Sequence, residues 1–257
     1  MSEQISGAMA IARGAIEAGV SFVSGYPGAP ATAVFDAILG LTDPESVQLE
    51  WTSNEKTAIE MAYGASLGGM RSLLCVKSVG LNIALDPLMA MNLAGCNAGL
   101  VILTGDDPGG WGSQNEEDSR ALALAVELPL LEPISLSQAQ PIMLEAFQLS
   151  EERGLPVIVR ITRALASAEE EHLSFQPAPA IPRTEPLEFK REYMRWVVLP
   201  INVVEYHQRL HEKIVAIQAT FETSPLNRSR GNGRYGVIAA GFAYQKLLEL
   251  FSGQVPP

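Results

Sequence analysis

SLLCVK at residues 72–77, LVILT at 100–104 and VIVRIT at 157–162 decide the fold. Each run has the length of a strand and almost no polar interruption, as expected of strands covered on both faces. Stretches with apolar residues at helical spacing lie between them, around 84–93, 119–126 and 138–153. The alternation continues upstream. Ile5, Ala8, Met9, Ala12 and Ile16 mark one helical face that Gly19 stops, and VSFVS (20–24) reads as a buried strand. Residues 31–39 predict a helix, 47–51 a strand and 55–67 a helix rich in Ala, Met and Gly. Strands spaced by helices predict an α/β fold: a doubly wound, mostly parallel sheet flanked by helices on both faces. In such sheets ligands sit beyond the carboxyl ends of the strands, so the loops there are the places to search.

After Arg163 the composition changes. The acidic run Glu169-Glu170-Glu171 and the prolines at 177, 179, 182 and 186 predict a linker or extended arm. A long helix is expected over about 201–221, then YGVIAA (235–240) as a new buried strand and a helix to Phe251. The expected organisation is therefore a domain over 1–163, an arm over 164–200, a helix and connection over 201–230, and the incomplete start of a second α/β domain over 231–257.

The bulk properties remove several function classes. With 47% apolar and 18% charged residues the chain is globular, and at 257 residues it can bury a sizeable core. A net charge of -11 repels a phosphate backbone, so no nucleic-acid surface is expected. No apolar run reaches the ~18 residues of a membrane span, and the N-terminus lacks the basic start of a signal peptide. Cys75 and Cys96 sit in apolar segments without metal spacing and read as buried reduced thiols, which points to the cytoplasm. His207 and His211 stand four residues apart, but H-Q-R-L-H lacks the glutamate of the zincin motif, and no metal site is expected there. All three histidines lie outside the strand-end loops, which sets aside a Ser-His-Asp triad.

Four loops could carry chemistry. The first strand leads into Gly25-Tyr26-Pro27-Gly28-Ala29-Pro30, a stiff turn where backbone can approach a ligand closely. The second leads into Glu50-Trp51-Thr52-Ser53-Asn54-Glu55. Thr52 and Glu55 have capping-box spacing, so Glu55 is either a helix cap or a carboxylate at a cleft floor able to share a proton. The third strand runs into Lys77-Ser78-Val79-Gly80-Leu81-Asn82. The fourth precedes a long polar loop over 105–118, where turn formation and helix capping by Asp118 account for the acids more simply than a metal does. A hydrolase built on Asp106 or Asp107 has little to support it.

Read together, these loops resemble the alpha-subunit family of indolepyruvate:ferredoxin oxidoreductases, within the thiamine-diphosphate-dependent 2-oxoacid:ferredoxin oxidoreductases. The resemblance rests on GYPGAPAT (25–32), EWTSNEKTAIEMAYGASLGGMRS (50–72), KSVGLNIALDPLM (77–89), DDPGGWGSQNEEDSR (106–120), SPLNR (224–228) and GVIAAGFAY (236–244). It implies that 1–163 is the pyrimidine-binding domain and that 231–257 opens a transketolase-C-terminal-like domain. It assigns Glu55 to the catalytic carboxylate on N1′ of the aminopyrimidine, where it helps remove the thiazolium C2 proton. By the same resemblance Tyr26, Pro27, Gly28, Glu55 and Asn82 bind cofactor, while Ala29, Ser78, Gln114 and Asn115 face the substrate. Ala29 and Ser78 depart from the family pattern, which commonly has Ser or Thr at the first place and His at the second.

No G-D-G…N motif for diphosphate and Mg²⁺ occurs, since Gly105-Asp106-Asp107 is not that motif. The resemblance therefore implies thiamine diphosphate shared with a diphosphate-binding partner subunit that holds Mg²⁺. Iron–sulfur clusters would belong only to partners, with a ferredoxin-type acceptor possible and a homo- or hetero-oligomer expected. The rival expectation is a non-catalytic scaffold subunit that keeps the fold and has lost the chemistry.

Overall fold

The computed structural model describes residues 4–171 and 188–251. Its centre is a six-stranded, wholly parallel sheet in the order β3-β2-β4-β5-β7-β6. The strands are β2 (Phe22–Gly25), β3 (Gln48–Trp51), β4 (Ser72–Lys77), β5 (Leu100–Asp106), β6 (Leu130–Leu131) and β7 (Val157–Thr162). Successive strand residues face opposite sides, and in the inner strands β2, β4 and β5 every residue is buried, whereas the edge strand β3 is partly exposed. Leu73 and Cys75 join the core formed with α1 (Gly7–Glu17), α2 (Ala31–Leu41) and α6 (Leu136–Arg153). Leu74 and Val76 join the one formed with α3 (Glu55–Leu67), α4 (Ser78–Ala94) and α5 (Ser119–Ala125). Both cysteines are free and buried, and burial pushes the Cys96 thiol up to about 11 and Cys75 higher still. The doubly wound expectation holds, with α3, β4 and β7 at the bounds read from sequence.

Chain order places β3 on one side of β2 and β4 on the other, so the direction of winding reverses between β2 and β4. The crevice between the carboxyl ends of these two strands is where such a sheet opens to a ligand. The chain is brought close there by glycines. A Cβ on Gly28 would lie 2.8 Å from Lys77 Cβ, closer than real side chains pack.

Three expectations need correction. The helix placed at 84–93 starts at Ser78, directly after β4. Val79, Gly80 and Pro87 are weak helix formers, and packing on α3 and β4 overrides them. Residues 169–171, read as part of a linker, form β8 (Glu169–Glu171), antiparallel to β1 (Gln4–Ser6) in a separate two-stranded ribbon joined to β7 by α7 (Arg163–Ser167). Three glutamates are poor strand formers, and only the distant N-terminal segment supplies their ladder. YGVIAA makes no strand: residues 235–240 are irregular and mostly exposed, with Ile238 fully so. A lone strand has no backbone partner, and none is offered among the described residues. The prolines of the arm and His172 lie outside the described residues.

The helix expected at 201–221 is α9 (Val203–Glu222), preceded by the short α8 (Tyr193–Trp196). It is not an outlier: Leu210 and Ile217 enter the α1–α2–α6 core, and so does Phe242 at the head of α10 (Phe242–Leu250). Arg195 and Lys213 donate to the carbonyls of Cys96 and Gly154 at 3.1 and 3.3 Å.

α1 and α6 approach so closely that a Cβ on Gly14 would lie 2.3 Å from the Gln140 carbonyl oxygen. Gly14→Ala is therefore expected to destabilise by about 1–3 kcal/mol despite alanine's better helix propensity, because the backbones must separate. Urea denaturation measures this. A stabilised variant would show that the two helices slide apart freely.

Candidate functional site

A cleft of about 560 Å³ opens at the carboxyl ends of β2, β4, β5 and β7. One wall is the turn Pro27-Gly28-Ala29, where the Gly28 amide donates to Thr32 Oγ1 at 2.7 Å and fixes the turn against α2. Lys77 and Val79 form the floor, the loop residues Asp107 and Trp111 to Gln114 the opposite wall, and Arg163 one end. Tyr26, just before this wall, is partly exposed, and its backbone amide donates to the Cys75 carbonyl.

Charge organises the floor. Lys77 Nζ lies 3.2 Å from Asp107 Oδ2, and both side chains are nearly fully buried. Asp107 also accepts from the Gly112 amide at 3.2 Å and from the Ser113 hydroxyl. Burial pushes its carboxyl upward, but the Ser113 and Lys77 hydrogen bonds outweigh this and hold it below the ordinary carboxylate range. Asp107 is thus the pin that folds the loop over the cleft, while Arg163 lies 4.7 Å over the exposed ring of Trp111.

Because the folded carboxyl is depressed, its stabilising contribution is complete above the unfolded value of about 3.9 and is lost as pH falls through the folded one. Lys77→Met removes one of the groups that depress it. The expected outcome is that amide-exchange protection at Gly112 collapses at a higher pH than in the unmodified protein. Equal protection profiles would mean that the pair does not hold the loop.

Deeper support comes from a buried ion network. Arg160, on β7, donates to Asp106 Oδ2 and Glu132 Oε1, each at 2.6 Å. Asp106 also accepts from the Ser119 amide at 3.0 Å and from its hydroxyl, fastening the far end of the loop. Arg120 bridges Glu132 and Asp118, and Asp118 caps α5 by accepting from the Arg120 amide. Asp106 and Asp107 therefore have structural partners, which leaves neither as an unpaired hydrolytic carboxylate.

Glu55 lies outside this cleft lining. It is the first residue of α3, and its helix is capped by Asn54, whose side chain accepts from the Thr57 amide at 2.9 Å. The capping-box alternative does not form, because Thr52 Oγ1 donates instead to the carbonyls of Gly25 and Asn54. Glu55 is half-buried and has no hydrogen-bond or ion-pair partner among the described residues. Its side chain is pressed against Gly80: a Cβ there would lie 2.6 Å from both Cγ and Oε1. Only glycine leaves room for the carboxylate in that position.

Two residues before Gly80, the Ser78 hydroxyl is wholly buried and without a hydrogen-bond partner among the described residues, a costly condition for a polar atom. Asn82 is exposed and donates to both Glu117 carboxylate oxygens at 2.9 Å, with Asn115 donating to the same carboxylate. The structure thus gathers Pro27, Gly28, Ala29 and Gln114 in one cleft and Asn82 with Asn115 on Glu117, while Glu55 stands against the start of α4. Sequence reasoning did not single out Lys77, Trp111 or Arg163 as site residues. The available signal was their place at or just past a strand end.

The arrangement fits the aminopyrimidine half of thiamine diphosphate: an unpartnered carboxylate in a glycine cradle can accept or share a proton with a ring nitrogen. Comparison with known proteins agrees. The family model described as "Pyruvate flavodoxin/ferredoxin oxidoreductase, thiamine diP-bdg" matches residues 13–221. Indolepyruvate oxidoreductase subunit IorA of Pyrococcus abyssi is 34% identical over 247 residues, covering 95% of this chain and 38% of that protein. The IorA subunits of Archaeoglobus fulgidus and Methanothermobacter thermautotrophicus are 38% and 36% identical, covering 91% and 93% of this chain and 38% and 39% of theirs.

The chain thus spans about two-fifths of the length of these relatives. Among solved structures, a 2-oxoglutarate:ferredoxin oxidoreductase from Magnetococcus marinus superposes with a TM-score of 0.68 at 17% identity, over 85% of this chain and 45% of its own; it shares the fold. With the parallel sheet, the glycine-cradled Glu55 and a family match over most of its length, the chain belongs to the thiamine-diphosphate-binding family of pyruvate flavodoxin/ferredoxin oxidoreductases.

Proposed function

We propose that this chain supplies the pyrimidine-binding side of a thiamine-diphosphate-dependent oxidoreductase or decarboxylase acting on an indolepyruvate-like 2-oxoacid. The observation that carries the reading is the Glu55 carboxylate, half-buried, unpartnered among the described residues and held in position by Gly80. Thiamine diphosphate, when bound, supplies the carbanion that attacks the 2-oxo carbon and the electron sink that accepts electrons as carbon dioxide leaves. Glu55 would hold a proton at N1′ of the pyrimidine. Tyr26, Pro27, Gly28 and Asn82 would border the ring, and Ala29, Ser78, Gln114 and Asn115 the substrate. Lys77 and Arg163, the cations of the cleft, would attract the substrate carboxylate. The loop pinned by Asp107 would exclude water from the reacting atoms.

Residues 1–163 would form the pyrimidine domain, 164–200 the connecting arm, 201–230 a docked helix, and 231–257 the opening of a transketolase-C-terminal-like unit. Diphosphate and Mg²⁺ would be held by a partner subunit in a homo- or hetero-oligomer. Partners would carry the iron–sulfur clusters, with a ferredoxin-type protein as electron acceptor. No helix among the described residues is long and apolar enough to cross a membrane. The enzyme would be cytoplasmic. The test is to purify the chain with its native partners, assay bound thiamine diphosphate, and follow indolepyruvate-dependent reduction of a viologen dye. Cofactor and turnover support the proposal. A stable assembly that takes up no cofactor after soaking with thiamine diphosphate and Mg²⁺ would leave the scaffold reading in its place.

A further inference from the structure

Two of the chain's three histidines meet a carboxylate far from the cleft. His207 and His211, one turn apart on α9, both face Glu127, which lies in the turn between α5 and β6. His211 Nε2 is 2.8 Å from Glu127 Oε1, and His207 Nδ1 is 3.9 Å from Glu127 Oε2. One ligand atom from each residue falls within 4.8 Å of the others. Zinc bonds of about 2.0–2.2 Å place tetrahedral ligands roughly 3.4 Å apart, so small side-chain rotations bring all three to one ion.

The backbone favours this position for Glu127 at a cost. Glu127 has φ 53, the only positive value at a non-glycine residue among those described, in a conformation where glycine is the unstrained choice. The Glu127 and Leu128 amides hold the turn by donating to the carbonyls of Leu124 and Ala123. A carboxylate therefore stands where conformational strain alone would select glycine, and it points at the histidine pair. All three side chains are partly exposed, which leaves solvent access to the remaining coordination position.

We infer that Glu127, His207 and His211 form a zinc site that fastens α9 to the α5–β6 turn. Two imidazoles and a carboxylate suit Zn²⁺ or Co²⁺, with water as a fourth ligand. α5 follows the cleft loop directly, so the ion would tie the appended helix to the element that ends that loop.

The test uses the full chain, stripped with chelator and titrated with ZnCl₂ and CoCl₂. One Zn²⁺ should bind per chain and raise the melting temperature, and Co²⁺ should give the visible absorption of a four-coordinate site. His211→Ala should weaken binding by more than about tenfold, since even outer-shell changes cost 10–100-fold. Glu127→Gly should abolish the zinc-dependent rise in melting temperature while leaving the metal-free protein at least as stable, because glycine relieves the strained backbone. Binding in both variants as tight as in the unmodified protein, or no melting shift at saturating zinc, would reduce the cluster to an ordinary surface hydrogen bond between His211 and Glu127. The outcome is independent of thiamine-diphosphate chemistry.

Discussion

Glu55→Gln is expected to lower turnover of the reconstituted complex by on the order of 10²- to 10⁴-fold, the range that a positioned acid–base group contributes. The amide keeps the size and the place beside Gly80 but cannot hold and return a proton. Stability should hardly change, because the carboxylate has no hydrogen-bond or ion-pair partner among the described residues. Exchangeable changes at partly exposed positions usually fall within about 0.5 kcal/mol. Steady-state turnover with indolepyruvate and a viologen acceptor, set beside the melting temperature of the isolated chain, separates catalysis from folding. Unchanged turnover would remove Glu55 from the chemistry and favour a scaffold role.

Arg160→Met carries the largest expected effect on stability. The guanidinium is buried between Asp106, which is wholly buried, and Glu132, which is nearly so. Removing it leaves Asp106 in the interior without its cation, while Glu132 keeps Arg120 at 3.0 Å; the expected loss is about 3–5 kcal/mol by analogy with broken buried ion pairs. The pair itself is a weak source of net stability; the cost lies in stranding Asp106. Arg160→Met combined with Asp106→Asn should therefore recover part of the loss, and urea denaturation of both variants measures it. A single variant within about 0.5 kcal/mol of the unmodified protein would show that water reaches these carboxylates readily. Because Asp106 holds Ser119, the single variant should also loosen the loop over the cleft, seen as faster proteolysis within 107–118.

The sequence was most legible where structure follows from a local window. The runs 72–77 and 157–162 became β4 and β7 without adjustment, and 55–67 became α3, because apolar periodicity and backbone propensity agree there. The loops beyond the carboxyl ends of the strands followed from fold class as the places to search, and motif resemblance brought Glu55 forward. What stayed hidden depended on meetings across the chain. Arg160 finds Asp106 at a separation of 54 residues, His211 finds Glu127 at 84, and the glutamates of β8 find their ladder on β1.

YGVIAA makes the same point in reverse. Its local pattern is that of a buried strand, yet with no neighbour among the described residues to complete a ladder it stays irregular and exposed. Sequence alone thus determined most helices and strands of the doubly wound sheet through spacing along the backbone, and the motif resemblance named the carboxylate to suspect. Tertiary structure alone decided which charges neutralise one another, that the Thr52 hydroxyl turns to the distant Gly25 carbonyl, and that Gly80 makes room for Glu55. Those facts depend on three-dimensional proximity, which sheet order and helix packing set and no short window of residues contains.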